Sequence, residues 1–267
     1  MAPDAYSSLA RGTLLADRIG RIPGVAALRT AYGKSTSVWA AHDHEVADTW
    51  WIALSGTASP DYNSALLHGP DAPDRVDDVL RRIKETGRPA TVALAGAGLA
   101  AAGRLQDEGW VLAAALPFMY GEPRPGAADE RVRLLQEDDL AAATAVLART
   151  FHVPEQSAAA CYHPGLSGED GILAWGLFDP ELVSCGIDVQ VGDHLYVGWA
   201  LATDPAHQGR GYGARLVGHV DHWYYHHGRR SSLHVGSTAG ARLYAARQHP
   251  VVEHWQHWSR PRWLLGA

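Results

Sequence analysis

Between Ala200 and Gly213 the sequence runs Ala-Leu-Ala-Thr-Asp-Pro-Ala-His-Gln-Gly-Arg-Gly-Tyr-Gly, and few folds can use it. The apolar run 195–202 predicts a buried strand that breaks at Asp204-Pro205. The hexapeptide 208–213, with glycines at 209, 211 and 213, then opens a long helix. A strand, a glycine loop and a helix N-terminus in that order build an anion site. The first helical N–H groups lack intrahelical partners, and the macrodipole adds partial positive charge there. Glycines let the backbone approach phosphate oxygens with no Cβ in the way. The loop alone does not say which molecule owns the anion, so its surroundings must decide.

The rest of the chain in order predicts a mixed α/β fold. A helix is expected over 8–19, then strands over 24–32, 37–42 and 50–54. A loop follows over 57–73, with a short strand or turn around Leu66. The helix at 74–86 is clear, because Val76, Val79, Leu80 and Ile83 recur at helical spacing, Pro73 precedes it and Gly87 stops it. A strand over 89–94, a helix over 99–108 and a strand over 110–119 come next, and the Pro/Gly-rich 121–128 reads as a linker. After it the pattern restarts. A strand over 131–135 leads to a helix from 137 to 149 and a second helix from Pro154 to about 162. The strands 171–178 and 182–191 form a hairpin across Asp179-Pro180. The strand 195–203, the glycine loop, a helix over 211–227, a strand over 231–235, a helix over 239–247 and a strand over 251–258 complete the chain.

Two segments repeat one order: helix, strand, helix, strand, ending at Met119 and again at Trp258. We read this as an internal repeat, with one copy over 1–124 and a second over 129–267. Where the first copy should carry its glycine loop it has Leu67-His68-Gly69-Pro70-Asp71-Ala72-Pro73. Two prolines remove N–H donors and fix φ, so this segment cannot make the same cradle. One loop of two survives.

The ordered pattern strand, Gln208-x-x-Gly211-x-Gly213, long helix, strand, then Leu243-Tyr244 on a short helix resembles the GNAT family of N-acetyltransferases over about 129–267. The resemblance implies two tandem domains, each a V-splayed central mixed sheet flanked by helices, the first degenerate. It implies acetyl-CoA or another acyl-CoA as co-substrate. Pantetheine would pair with the backbone of Leu201, Ala202 and Thr203, and the pyrophosphate would lie on the loop Gln208, Gly209, Arg210, Gly211, Tyr212 and Gly213. It also implies Tyr244 as the acid that protonates the departing thiolate, a reasonable match for a phenol of pKa near 10. Where family members usually show Gly-Phe after that helix, this chain has Gln248-His249-Pro250-Val251, and no asparagine precedes the helix, leaving Ser237 and Thr238 to cap it.

Acyl transfer to an amine also needs an oxyanion donor, for which a backbone N–H near Ala202 is expected, and a route for the amine proton. No glutamate lies between Val183 and Val252. The base is therefore Asp188, His194 or His234, with His234 favoured by its place on the strand before the tyrosine helix, or else a water chain. Of the 15 histidines, His219, His222 and His226 share a helical face and His254 and His257 lie three apart, which fits metal ligation or an aromatic, wet surface; no metal is expected. Such a lining would shape an acceptor pocket for an uncharged or aromatic amine.

Composition narrows the rest. The net charge of −6 splits into about −2 before residue 129 and about −4 after it, so neither half has the basic excess of a nucleic-acid binder. An aminoacyl-tRNA-dependent or mycothiol-synthase-like transferase on the same fold remains an alternative, with Arg229-Arg230 and Arg260-Pro261-Arg262 as its basic patch; a non-catalytic acyl-CoA sensor is another. Cys161 and Cys185 fit reduced core thiols. The start of the chain has no apolar secretory segment and no run of about 18 apolar residues occurs, so a cytoplasmic protein without a membrane span is expected. The expected partner is a small-molecule amine, and a homodimer is allowed.

Overall fold

The computed structural model describes residues 24–166 and 169–264. The helix expected over 8–19 lies outside the described residues. Eleven strands form one sheet: β1 (Asp43–Val46), β2 (Trp50–Leu54), β3 (Asn63–Leu67), β4 (Thr91–Leu94), β5 (Val111–Gly121), β6 (Val132–Leu134), β7 (Ile172–Phe178), β8 (Leu182–Val191), β9 (Leu195–Thr203), β10 (Ser231–Val235) and β11 (Val251–Ser259). The helices are α1 (Val25–Ser35), α2 (Ala72–Thr86), α3 (Ala102–Asp107), α4 (Leu140–Phe151), α5 (Glu155–Ala158), α6 (Tyr212–His226), α7 (Thr238–Ala246) and α8 (Pro261–Leu264). The mixed α/β class read from the sequence is the one observed.

The strand order, β1-β2-β3-β4-β11-β5-β10-β9-β8-β7-β6, is nearly palindromic. Two parallel pairs, β3 with β4 and β9 with β10, each enclose one long helix, α2 and α6 respectively. The final strands cross over. β5 ends the first half yet pairs with β10, and β11 ends the second half yet pairs with β4. β11 and β5 run antiparallel side by side at the centre. This crossing makes the two halves share one sheet, a feature that element order alone does not reveal.

Two expectations fail at the start of the described chain. Residues 24–32 form helix α1, not a strand, and 37–42 hold a 3-10 turn (Thr36–Val38) before β1 begins at Asp43. Leu28, Tyr32 and Ser35, spaced four and three apart, are buried by α1 together with Gly33, so the helical period wins over the short apolar run. The element expected over 99–108 starts as a 3-10 turn (Gly96–Ala101) before α3, and only Glu155–Ala158 of the second expected helix is α-helical.

The segment of the first half that precedes α2 is packed against protein. Asp71 stands at the N-cap of α2 with no side-chain bond to the helix amides, its carboxylate accepting from Thr49 Oγ1 (3.0 Å). Gly98 presses on the end of β3 so closely that a Cβ there would stand 2.0 Å from the Leu67 carbonyl oxygen. Beside them Arg29 of α1 makes a bidentate pair with Glu253 of β11 (2.7 and 2.5 Å). A helix of the first half and the crossed strand of the second thus close this end together.

The Nε2 atoms of His68 and His257 are shielded and unpartnered, and burial pushes both imidazoles down to about 4; the Arg29 charge adds to the effect at His68. An unfolded histidine titrates near 6.5, so between about pH 6.5 and 4 the unfolded chain binds protons that the fold refuses. Stability is therefore lost across that window as pH falls. His257→Gln is expected to flatten the slope relative to the parent, which cancels the other titrations. Urea midpoints at pH 7, 5.5 and 4.5 check this; parallel slopes would refute it.

Candidate active site

The glycine loop follows β9 as expected. Asp204 caps the turn after the strand, accepting from the Ala206 N–H (2.9 Å) and pairing with Arg149 of α4 (2.9 and 2.5 Å). Gly211 is the N-cap of α6 with φ +81°, and Gly209 has φ +75°, both in the left-handed region that a side chain disfavours. A Cβ on either would meet nothing within 4 Å, so the space beside this backbone is open. Arg215 donates the first helical bond to the Gly211 carbonyl (3.0 Å), and the amides of Tyr212, Gly213 and Ala214 precede that ladder. Arg210 lies exposed on the loop. Tyr212 donates its hydroxyl to Asp179, fastening the loop to the β7–β8 hairpin.

Gln208 ties the loop back to the strand, donating Nε2 to the Thr203 carbonyl (3.0 Å), which also accepts from Thr150 Oγ1 (3.0 Å). The Asp204 N–H points at Val183 of β8 (2.9 Å). Strand alternation then directs the Ala202 amide to β8 as well, where its carbonyl accepts from Ser184 Oγ (2.8 Å), and turns Leu201 and Thr203 the other way. Of the amides near Ala202 expected to serve the oxyanion, that of Ala202 itself is thus directed to the sheet, and Leu201 is the residue facing the side where β10 diverges.

That divergence has a visible cause. Pairing of β9 with β10 stops at Val197 opposite Leu233, and the next residues are Gly198 and His234. A Cβ on Gly198 would lie 2.7 Å from His234 Nδ1 and 3.4 Å from Asp188 Oδ1. The imidazole therefore wedges the parallel strands apart where glycine leaves room, which opens the V.

His234 is 4 % exposed, and neither ring nitrogen has a partner. Burial, with the neighbouring His249, holds it neutral by pushing its pKa well below the usual range. Tyr244 stacks on it with ring centroids 3.9 Å apart and planes 14° apart. Burial, with Asp188 and Asp221 nearby, raises the Tyr244 phenol, so it stays protonated. Ser237 caps α7 by accepting from Gly240 N–H (3.3 Å), and Leu243 packs toward Gly213 of α6, which together bring Tyr244 beside the loop.

The other base candidates fare differently. Asp188 lies in the crevice under α6 with Gly198, Leu201, His234 and Tyr244, but burial, then the charge of Asp221, pushes its carboxyl well above the usual range. That shift disfavours the carboxylate form that a base needs. His194 is exposed at the start of β9, the end opposite the glycine loop. His219 accepts from the Asp129 N–H (3.0 Å), and His222 and His226 face one another at 4.4 Å. Among the described residues no group of three or more metal-ligating side chains is placed to hold an ion.

Sequence reasoning missed two parts of the site. His249, which replaces the expected Gly-Phe, is 1 % exposed, stacks 5.4 Å from His234, and sits where a Cβ on Gly121 would intrude to 2.1 Å. Its signal was the departure from the family pattern itself. Asp221, buried under α6, accepts from Tyr196 (2.9 Å) and Arg247 (2.6 Å). A carboxylate four residues after Val217, on the apolar face of a helix, was the available clue.

Residues 140–248 match the family model described as Acetyltransferase (GNAT) family. No curated protein matches the chain. Among solved structures, a GCN5-related N-acetyltransferase from Kribbella flavida is 16% identical, with a TM-score of 0.66 over 90% of this chain and 96% of that one. A GCN5-related N-acetyltransferase from Sphaerobacter thermophilus is 13% identical, with a TM-score of 0.53 over 89% and 91%. At these identities the likeness is one of fold.

Proposed function

From the match of residues 140–248 to the acetyltransferase (GNAT) family model, we propose that the chain is an acyl-CoA-dependent N-acyltransferase, most simply an acetyltransferase, acting on a small-molecule amine. The observation that carries the reading is the open, left-handed glycine backbone at the N-terminus of α6 with a buried, protonated tyrosine beside it. The amides of Gly209 to Gly213 suit a pyrophosphate, and the exposed Arg210 adds a positive charge. Leu201 and Thr203 offer pantetheine the side of β9 that β10 has left.

In the reaction the amine nitrogen bonds to the thioester carbon, the C–S bond breaks, and the nitrogen gives up a proton. The Leu201 N–H is assigned to the developing oxyanion. His234, neutral and with both nitrogens unpaired, suits the amine proton, and Tyr244 suits donation to the departing sulfur. Holding donor and acceptor in one cleft supplies much of the acceleration. Within this reading the first half (1–124) is the degenerate copy and 129–267 the acyltransferase copy. The tRNA alternative weakens, because Arg229 is engaged by Asp193 and Gln190, and Arg260 lies over Trp110 and Trp263. Among the described residues no helix is long and apolar enough to cross a membrane.

Acetyl-CoA at about 100 times its dissociation constant is expected to stabilise the fold by roughly 2.7 kcal/mol, readable as a thermal shift. Gly211→Asp puts a carboxylate and a Cβ on a φ of +81° at the helix N-terminus. At the same acetyl-CoA concentration it should cut that stabilisation to about 0.4 kcal/mol, weakening acetyl-CoA by about 100-fold through repulsion and backbone strain. No shift with any CoA ester on the parent protein would sink the reading.

A further inference from the structure

We propose that α1, a helix of the loop-less first half, positions the cleft strand of the second half: Ser35 holds Trp199, and through it the bulge at Ala200 that aims the Leu201 amide. The inference rests on the acyl-transfer reading above and gives the first half a task in it.

The bulge is explicit in the register. Ala202 pairs with Cys185 and Trp199 with Ile187, so Ala200 and Leu201 together oppose Gly186. Ala200 adopts φ +54°, a left-handed conformation that an L-residue holds only when its surroundings impose it. The extra residue breaks side-to-side alternation. Trp199 and Ala200 both pack into the cluster beneath α1, whereas Leu201 packs on the α6 side beside Tyr244. Without the bulge Trp199 and Leu201 would share one face, so a Trp199 held beneath α1 would turn Leu201 and its amide the other way.

What imposes the bulge comes from 164 residues away. Trp199 Nε1 donates to Ser35 Oγ (2.8 Å), and Ser35 Oγ donates to the Tyr32 carbonyl (2.7 Å). Ser35 is fully buried, so its hydroxyl has one arrangement that satisfies both bonds. The Tyr32 and Trp39 rings pin the same indole, with centroids 4.7 and 5.6 Å from it. Tyr32 in turn meets Phe118 and Trp255 edge-on, on the two crossed strands β5 and β11. The indole is thus fixed in position and tilt by groups of the first half. Ser35 touches no reacting atom and is a positioning residue.

The test uses the full chain with S35A, W199F and the double variant, and acetyl-CoA alone as probe, with water as the acyl acceptor and thiol release as the signal. Each single change is expected to lower the maximal rate about tenfold, a fraction of what outright loss of an oxyanion donor removes, with acetyl-CoA affinity within twofold of the parent. The double variant should be no slower than the worse single one, since both remove the same bond. The Trp199 indole N–H resonance, assigned by its disappearance in W199F, should shift in S35A, and the Leu201 amide should exchange faster. A parental rate in S35A, a loss confined to acetyl-CoA affinity, or additive effects would overturn the proposal. A parent protein that binds no acetyl-CoA instead overturns the acyl-transfer reading, and an unchanged indole resonance and Leu201 exchange then overturn the clamp on its own terms.

Discussion

Tyr244→Phe should slow thiol release from acetyl-CoA by about 100-fold while leaving acetyl-CoA affinity near the parental value. The expectation follows from what the substitution keeps and removes. Phenylalanine retains the ring that stacks 3.9 Å from His234 and the packing against Met119 and Val217, so the fold loses little. It removes the only atom of the side chain that can give a proton to a leaving thiolate. General acids contribute on the order of 10²–10⁴ to a rate, and the lower end suits a leaving group as weakly basic as a thiolate. Rate measurements with saturating acetyl-CoA, beside calorimetric titration, separate the two effects. A parental rate in the variant would remove Tyr244 from the chemistry and favour a sensor.

The largest effect on stability is expected far from that site, at the pair that closes the loop-less end of the first half. Arg29 and Glu253 are 11% and 17% exposed at their side chains, and Glu253 also accepts from Trp255 Nε1 (2.7 Å). Glu253→Ala leaves a nearly buried guanidinium without its carboxylate, a change that costs about 3–5 kcal/mol. For a chain of this size each kcal/mol moves the melting temperature by roughly 2–4 °C, so a fall of on the order of 10 °C is expected. Replacing both partners, Arg29→Met with Glu253→Leu, removes the stranded charge and should bring the melting temperature back close to the parent. A single variant that melts within 2 °C of the parent would show that water reaches the guanidinium.

Both predictions depend on features that differ in how far the sequence discloses them. The loop 208–213, the strands 231–235 and 182–191 and the Ser237 cap lie where local chemistry places them, because glycine spacing, alternation and capping act over a few residues. Helix α1 was misread because its buried residues are diluted by alanine and threonine, and a nine-residue window carries too little period to separate helix from strand. Asp188 reads as a base candidate because a carboxylate in a sequence carries its solution pKa, and only burial beside Asp221 raises it.

The sequence by itself determined the glycine-rich turn 208–213, the helix that carries Tyr244 and the proline-interrupted segment 67–73, since each follows from backbone freedom and hydrogen-bonding capacity within one short stretch. Only the tertiary structure decided that β5 and β11 change places, that His234 wedges β9 from β10 at Gly198, and that Ser35 reaches Trp199. These are contacts between residues far apart in the chain. Their partners are selected by shape and burial in the folded sheet, which no local pattern encodes.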